Sequence, residues 1–296
     1  MSAIGESVGR RMTLGYLVSH YGYELTPSFA TNVTITSIAN DLGSVRPGSL
    51  YIPFESIDVH RLEQAHIRGA YAAMIPHTMR GLIEHVDFPL LFAEPTEQQL
   101  GALASDLAGD PANMLAVFAV SGADSDEVQA NVVRLADFLH MLGNPVGVVS
   151  AAGSTSLERS LDVTYPLGIF DMQHILSICG EDGAAAVVLS MDPTTLRQDA
   201  LQSVNIDVLG DTDVLGADDD TRTRTEALRR TFGFTMDAQA HLITRNQESD
   251  VFAEQSQVVH DSDGKRRLSL SVAMVLAAGV RRNNIKSALR VSQELS

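Results

Sequence analysis

Leu115-Ala116-Val117-Phe118-Ala119-Val120, continued by Ser121-Gly122-Ala123-Asp124-Ser125-Asp126-Glu127, is the stretch that decides the fold. Its first six residues form an unbroken apolar run, the pattern of a strand buried on both faces of a parallel sheet. A polar turn from Ser121 to Asp126 follows. Beyond it, Val128, Val132, Leu135, Ala136 and Leu139 share one side of a helix. Gly143-Asn144-Pro145 stops that helix, and Val146 to Val149 forms the next strand. Downstream the spacing predicts a helix over Phe170 to Cys179, a buried strand over Ala184 to Leu189 and a shorter one over Ile206 to Leu209. A final helical stretch, Leu268 to Leu289, is punctuated by Gly279. Strands and helices alternating in this way predict a doubly wound, mostly parallel α/β sheet.

Upstream, Thr31 to Ile38 alternates like a strand. Arg46-Pro47-Gly48-Ser49 marks a turn before the apolar strand Leu50 to Phe54. Leu62, Ala65, His66 and Gly69 mark a helix face, and Ala70 to Ile75 reads as a strand. Strand, helix and strand at this spacing make a βαβ unit. Glu94 to Asp110 is helical and ends at Gly109-Asp110-Pro111, a helix stop and a domain joint. The expected architecture is therefore a small α/β N-terminal domain, residues 1–110, followed by the doubly wound domain, residues 111–296. No internal repeat and no low-complexity tract is visible.

The 296 residues suffice for two domains of ordinary size. Hydrophobic residues at 45% and charged residues at 20% exclude wholesale disorder. A formal net charge of -16 repels nucleic-acid phosphates and anionic lipid, so a nucleic-acid partner is not expected. Cys179, the one cysteine, excludes an intrachain disulfide and a cysteine-based zinc site, and its apolar surroundings read as core. No window approaches the ~20 apolar residues of a membrane span, and no signal peptide is visible, so a cytoplasmic location is expected.

In a doubly wound sheet ligands bind beyond the carboxyl ends of the strands, so the turn after the first strand is where chemistry is expected. A phosphate-binding loop needs glycines to expose main-chain N–H groups, a Lys for the β/γ-phosphates and a Ser or Thr for Mg²⁺. Here one glycine, Gly122, is present, Ala119 and Ser125 stand where two others belong, and Asp126 and Glu127 stand where Lys and Ser/Thr belong. Asp124 adds a third acid. Two unit charges ~4 Å apart interact by about 4 kcal/mol at an effective dielectric of about 20. Reversing the sign at Asp126 changes phosphate binding by roughly twice that before screening. The turn is expected to hold no triphosphate and to be collapsed.

At this turn the chain resembles the Mur ligases of cell-wall synthesis, especially the tripeptide synthetase branch that loads UDP-MurNAc-dipeptide. Ala119 to Val128 lies where that family carries Gly-x-Thr-Gly-Thr-Asn-Gly-Lys-Thr-Thr. Pro47-Gly48-Ser49-Leu50-Tyr51 resembles the family's Pro-Gly-x-Leu-Phe turn, Asp58-Val59-His60 its Asp-Gly-His, and Arg68-Gly69-Ala70 its Arg-Gly-Ala. Leu142 to Val148 is similar to the segment after the ATP-loop helix, and Thr164-Tyr165-Pro166 to the Thr-Thr-Pro that contacts the nucleotide sugar. The shared order of these motifs covers roughly residues 30 to 290. The resemblance implies a nucleotide-sugar N-terminal domain and a central domain of P-loop, Mur-ligase type. It makes Asp41, Asp58, His60, Thr164 and Pro166 candidate nucleotide-sugar contacts.

The departures point away from ATP. The family's Asp-Ser-Arg is here Asp41-Leu42-Gly43, matched at Asp41 alone. Its magnesium-binding Glu-Val-Ser-Ser-His is replaced by Ser190-Met191-Asp192-Pro193-Thr194. Its Thr-Asn-Leu and Asp-His-Leu-Asp block corresponds to Thr212-Asp213-Val214 and Ala217-Asp218-Asp219-Asp220. The helix beyond, where the family places a carbamylated Lys, offers Arg222, Arg224, Arg229 and Arg230, which cannot be carbamylated as Lys can. The chain also stops after the central domain, so the family's third domain is expected to be absent. No catalytic residue, cofactor or metal is expected. The expected function is that of a non-catalytic binding or scaffolding partner in peptidoglycan precursor synthesis, facing a UDP-MurNAc-peptide or a cell-wall synthesis protein. The alternatives are a ligase with residual ATP-dependent activity completed by a partner chain, and a nucleotide-sugar sensor.

Other motifs read blandly. Asp211-Thr212-Asp213-Val214-Leu215-Gly216 opens like a calcium loop, but Leu215 at position 5 and Arg222 at position 12 break the pattern, so a solvated acidic loop is expected. Nine histidines form no helical metal pair. No Gly-x-Ser-x-Gly elbow is present. Thr164 serves either as a ligand contact or as a cap or turn residue near the Phe170 helix. Lys265-Arg266-Arg267 reads as a solvated connector before a helix.

Overall fold

Two mainly parallel sheets organise the chain, each in its own compact unit, Met1–Asp110 and Pro111–Ser296. The structure is a computed structural model that describes residues 12–54, 57–82, 86–213, 218–237, 241–256 and 259–294.

The first unit runs β1 (Met12–Thr13), α1 (Leu14–Tyr21), β2 (Glu24–Thr26), β3 (Thr34–Ile35), β4 (Ser37–Ala39), β5 (Ser49–Tyr51), α2 (Val59–Ile67), β6 (Ala70–Ile75), β7 (Leu90–Phe92) and α3 (Glu97–Ala108). Its five-stranded sheet has the order β2-β7-β6-β5-β4, with β2 antiparallel and the rest parallel. The β5-α2-β6 crossover is the expected βαβ unit. Leu62 and Ala65 bury the inner face of α2 among Ala73, Ile75 and Phe92. Gly69, at φ 111, lets the chain re-enter the sheet against Pro47, whose Cα lies 2.9 Å from where a Cβ would stand. The alternating stretch Thr31 to Ile38 is not one strand. Ser28–Asn32 is a 3₁₀ turn, β3 pairs with β1, and β4 pairs with β5, so the segment serves two sheets and breaks at Thr36.

The second unit runs β8 (Ala116–Ser121), α4 (Ser125–Met141), β9 (Val146–Val149), β10 (Ser154–Ser156), β11 (Arg159–Leu161), α5 (Ile169–Glu181), β12 (Ala186–Met191), β13 (Val208–Asp211), α6 (Asp218–Phe232), β14 (His241–Ile243), α7 (Gln247–Gln255), α8 (Ser262–Ala277) and α9 (Arg282–Glu294). The sheet order is β11-β10-β9-β12-β8-β13-β14. The five strands from β9 to β14 are parallel, and the β10–β11 hairpin adds an antiparallel edge. The mixed α/β architecture with a mostly parallel sheet is the one expected from the sequence.

Alternation along each strand builds two cores. Val117, Ala119, Val187 and Leu189 face α5, through Met172, Ile175, Leu176 and Cys179. Phe118, Val120 and Val188 face α4 and α8, through Val128, Val132, Leu135, Phe138, Val272 and Met274. The apolar stripe read on α4 is the buried face of that helix. Gly143, at φ 85, ends the helix, and its N–H reaches the His140 carbonyl at 2.8 Å. The hairpin, β14 and α7 escape the sequence reading because they are short or polar.

The C-terminal helical region begins earlier than Leu268. Asp261 caps α8 by accepting the Gly264 N–H at 2.8 Å, so Lys265-Arg266-Arg267 lie inside the helix and not in a connector. Each cation has a partner: Lys265 with Glu254 at 2.9 Å, Arg266 with Asp263 at 2.7 Å and Arg267 with Glu127 at 2.6 Å. Among the described residues no helix is long and apolar enough to cross a membrane.

Phe138 is fully buried between α4 and the sheet. Phe138→Ala is expected to cost about 3–5 kcal/mol of unfolding free energy, read from urea denaturation followed by circular dichroism.

Candidate functional site

Strand β8 ends at Ser121 and α4 begins at Ser125, leaving three residues between them. β8 sits in the middle of the five parallel strands, so this turn lies at the carboxyl edge where α/β sheets take their ligands. A helix N-terminus carries unpaired N–H groups and a partial positive charge, and it attracts an anion. Here the anion is internal. Asp124 Oδ1 accepts the N–H groups of Asp126 at 2.9 Å and Glu127 at 3.4 Å. The Ala123 N–H donates to Asp213 Oδ2, from the segment after β13. Asp126 is exposed on the first turn of α4.

Gly122 is held to glycine by packing. A Cβ there would stand 2.0 Å from Thr212 Oγ1 and 3.1 Å from Val128 Cγ2. Thr212 itself is tied to the turn, its N–H donating to the Ser121 carbonyl at 2.9 Å. Glu127 faces inward along α4. Arg267 Nη2 donates to its Oε2 at 2.6 Å, and Asn131 Nδ2 to its Oε1 at 3.0 Å. Ala119 and Ser125 lie in β8 and at the start of α4, so neither belongs to an open loop.

Beside the turn, Asp211 and Asp213 share one cation. Arg224, from α6, places Nε 3.0 Å from Asp211 Oδ2 and Nη2 2.6 Å from Asp213 Oδ2. The first contact is an ion pair without a hydrogen bond, since Oδ2 of Asp211 has no donor aimed at it. Burial pushes the Asp211 carboxyl above its usual range, outweighing the Asp213 N–H and the Arg224 charge. Burial acts in the same sense on Asp213, but Arg224, the Ala123 N–H and the Thr212 hydroxyl together hold that carboxyl below its usual range. The acidic block is therefore not a wholly solvated loop. Asp211 is the last residue of β13 and is 1% exposed. Val214, Leu215, Gly216 and Ala217 lie outside the described residues. Among the described residues no group of three or more acids, histidines or cysteines could hold a metal.

On the neighbouring strand Ser190, where the resemblance places the magnesium-binding Glu, is fully buried, and its hydroxyl has no hydrogen-bond partner. Asp192 is consumed by its own turn, accepting from Thr194 N at 2.9 Å and Thr195 Oγ1 at 3.0 Å. Gln129 Nε2 of α4 reaches Thr194 Oγ1 at 2.8 Å and closes that side. Cys179 is buried, which pushes its thiol up to about 11, in keeping with a core residue.

The candidate nucleotide-sugar residues fall in both units. Asp41 follows β4 and folds onto its own turn, accepting from Gly43 N at 2.6 Å and Ser44 N at 3.0 Å. Asp58 caps α2 through Arg61 N at 2.7 Å, and exposed His60 accepts from Gln64 Nε2 at 2.9 Å. Because β4 and β5 are parallel, both segments leave the first sheet from its carboxyl edge. In the second unit Thr164 is exposed. It does not cap α5, since Gly168 holds that position and its N–H goes to Asp171 Oδ2 at 2.8 Å. The Pro166 carbonyl accepts from Arg197 Nε at 2.9 Å. Thr212, Asp213, Arg224 and Arg267 were not read as parts of this turn. They come from 90 to 140 residues along the chain, and no local pattern marks their meeting.

No family model matches the chain. It is 26% identical over 195 residues to the UDP-N-acetylmuramoyl-L-alanyl-D-glutamate--2,6-diaminopimelate ligase of Pseudomonas aeruginosa, a match covering 62% of this chain and 38% of that protein. The chain thus spans well under half the length of this relative. Among solved structures, MurF from Acinetobacter baumannii is similar with a TM-score of 0.60 and 15% identity, over 95% of this chain and 67% of that one. A UDP-N-acetylmuramoyl-L-alanyl-D-glutamate--2,6-diaminopimelate ligase is similar with a TM-score of 0.50 and 13% identity, over 79% and 52%. The resemblance to the Mur ligases holds in sequence over the matched segment and in fold over nearly the whole chain.

The opposite shifts at Asp211 and Asp213 give a prediction. A carboxyl held below its usual range stabilises the fold at and above that range, and the contribution is lost as pH falls through its depressed value. Asp211 has the opposite sign, favouring the fold when protonated and losing that contribution as pH rises through its raised value. Asp213→Asn is therefore expected to lower stability by about 1–2 kcal/mol at neutral pH. The gap to the parent chain should close as pH falls below the ordinary carboxylate range, checked by urea titrations from neutral pH downward.

Proposed function

We propose that this chain is a non-catalytic Mur-ligase-like protein that acts as a binding or scaffolding partner in peptidoglycan precursor synthesis, without turning over ATP. One observation carries the reading: the carboxylate of Asp124 occupies the N-terminal amides of α4, on the turn where the related ligases carry their ATP loop. A phosphate arriving there must displace a covalently attached anion and then face Asp126 and Asp213. The nearby cations, Arg224 and Arg267, are already committed to Asp211, Asp213 and Glu127. A magnesium ion fares no better, because Ser190 offers a neutral hydroxyl where a carboxylate is wanted. The residues present do not fit Mg-ATP.

The resemblance offers Asp41, Asp58 and His60 in the first unit, and separately Thr164 and Pro166 in the second, as contacts for a nucleotide-sugar peptide. Exposed His60 and Thr164 leave side-chain groups toward solvent, whereas Asp41 and Asp58 work chiefly as caps. In this reading the ligand is held and presented.

Isothermal calorimetry with Mg-ATP is expected to show no binding at micromolar concentrations, and a micromolar dissociation constant would overturn the proposal. A coupled ATP-hydrolysis assay with UDP-MurNAc-peptide is expected to stay at background; turnover would favour the ligase alternative. Titration of UDP-MurNAc against the chain and its Thr164→Ala variant is expected to show weaker binding by the variant. Equal affinities would remove Thr164 from the site.

A further inference from the structure

Arg224 stands in α6, yet both of its carboxylate partners belong to the end of β13. Asp213 is held from every side. Its Oδ2 receives Arg224 Nη2 at 2.6 Å and also the N–H of Ala123, in the turn between β8 and α4. Its Oδ1 receives the Thr212 hydroxyl at 3.1 Å, and its own N–H goes to Asp211 Oδ1 at 2.8 Å. One oxygen atom therefore bridges a guanidinium on α6 and a main-chain N–H of the turn.

This is not a surface ion pair of the kind worth little. Arg224 is about two-thirds buried, with 33% of its side chain exposed, and Asp211 is wholly enclosed. Without the arginine, two carboxylates would face each other, one in a site that penalises charge. Their mutual repulsion would push Asp213 away from Ala123. The other charges near the turn do not substitute. Asp124 and Asp126 have the wrong sign, and Arg267 is engaged with Glu127 from α8.

We propose that Arg224 is a positioning residue that seals the β8–α4 turn, by fixing the Asp213 carboxylate on the Ala123 N–H, so that the placement of α6 is transmitted to the start of α4. The device is an internal closure of the sheet's carboxyl edge. It works through contiguous charge-assisted hydrogen bonds between named elements. It deepens the reading of this turn as one that holds no polyphosphate. Measured without nucleotide, it stands or falls separately from the calorimetry.

The test is native-state hydrogen exchange on the full chain, read amide by amide by NMR. Arg224→Met is expected to speed exchange at Ala123 by about tenfold or more, leaving the far end of α4, Phe138 to Leu142, at its parent rate. Arg224→Lys is expected to recover part of the protection. Arg267→Met, which breaks the neighbouring pair at Glu127, is expected to leave Ala123 unchanged. An Ala123 rate within about twofold of the parent in Arg224→Met, or an increase spread evenly along α4, overturns the proposal. Should the methionine variant fail to fold, Arg224→Gln, which removes the charge and keeps a polar side chain, is judged by the same criteria.

Discussion

The N-terminus of α4 has main-chain N–H groups that must find acceptors, and everything distinctive in the second unit follows from where those acceptors come from. A phosphate-binding turn leaves them for its ligand, so its local structure and its function share the same hydrogen bonds. Here Asp124 supplies the acceptor for Asp126 and Glu127, and Asp213 supplies it for Ala123. Both are parts of the chain. The macrodipole of the 17-residue helix is matched by a side chain that cannot diffuse away.

That solution concentrates negative charge, and the chain answers with two arginines from distant elements. Arg267 comes from α8 and meets both oxygens of Glu127, Oε1 through Nε and Oε2 through Nη2, while Arg224 comes from α6 and divides itself between Asp211 and Asp213. Arginine suits both places because its planar fork reaches two oxygens at once and keeps its charge when partly buried. The division is unequal. Asp213 gains enough donors to hold its carboxyl below the usual range, and Asp211, deeper and poorer in donors, is held above it.

How much of this was legible in the sequence depends on distance along the chain. Unbroken apolar runs and a clean 3.6-residue stripe announced β8, α4, β9 and β12, because burial on both faces of a parallel sheet leaves a local signature. Thr31 to Ile38 misled because alternation marks an extended backbone and says nothing about which partner it pairs with; β3 and β4 serve different sheets. Lys265-Arg266-Arg267 misled for a related reason. A run of cations looks solvated until Asp261 is recognised as a cap and each cation is given its acid. At the turn, the wrong sign of Asp126 was readable from residue type alone. The hydrogen bonds of Asp124 are local, whereas the meeting of Ala123, Asp213 and Arg224 depends on β8 and β13 being neighbours in the sheet.

Gly122 stands at a position where close packing by itself requires a glycine. In a phosphate loop a glycine exposes N–H groups to the ligand, and its freedom serves binding. In this chain the space over Gly122 is filled by Thr212, whose hydroxyl would collide with any Cβ, and Thr212 in turn orients the carboxylate of Asp213. The glycine is required by close packing of one main-chain segment against a neighbouring side chain. Resemblance at that position is accounted for by the packing of the fold alone. The groups that face the turn are acids, of which Asp124 and Asp213 are bonded within the chain.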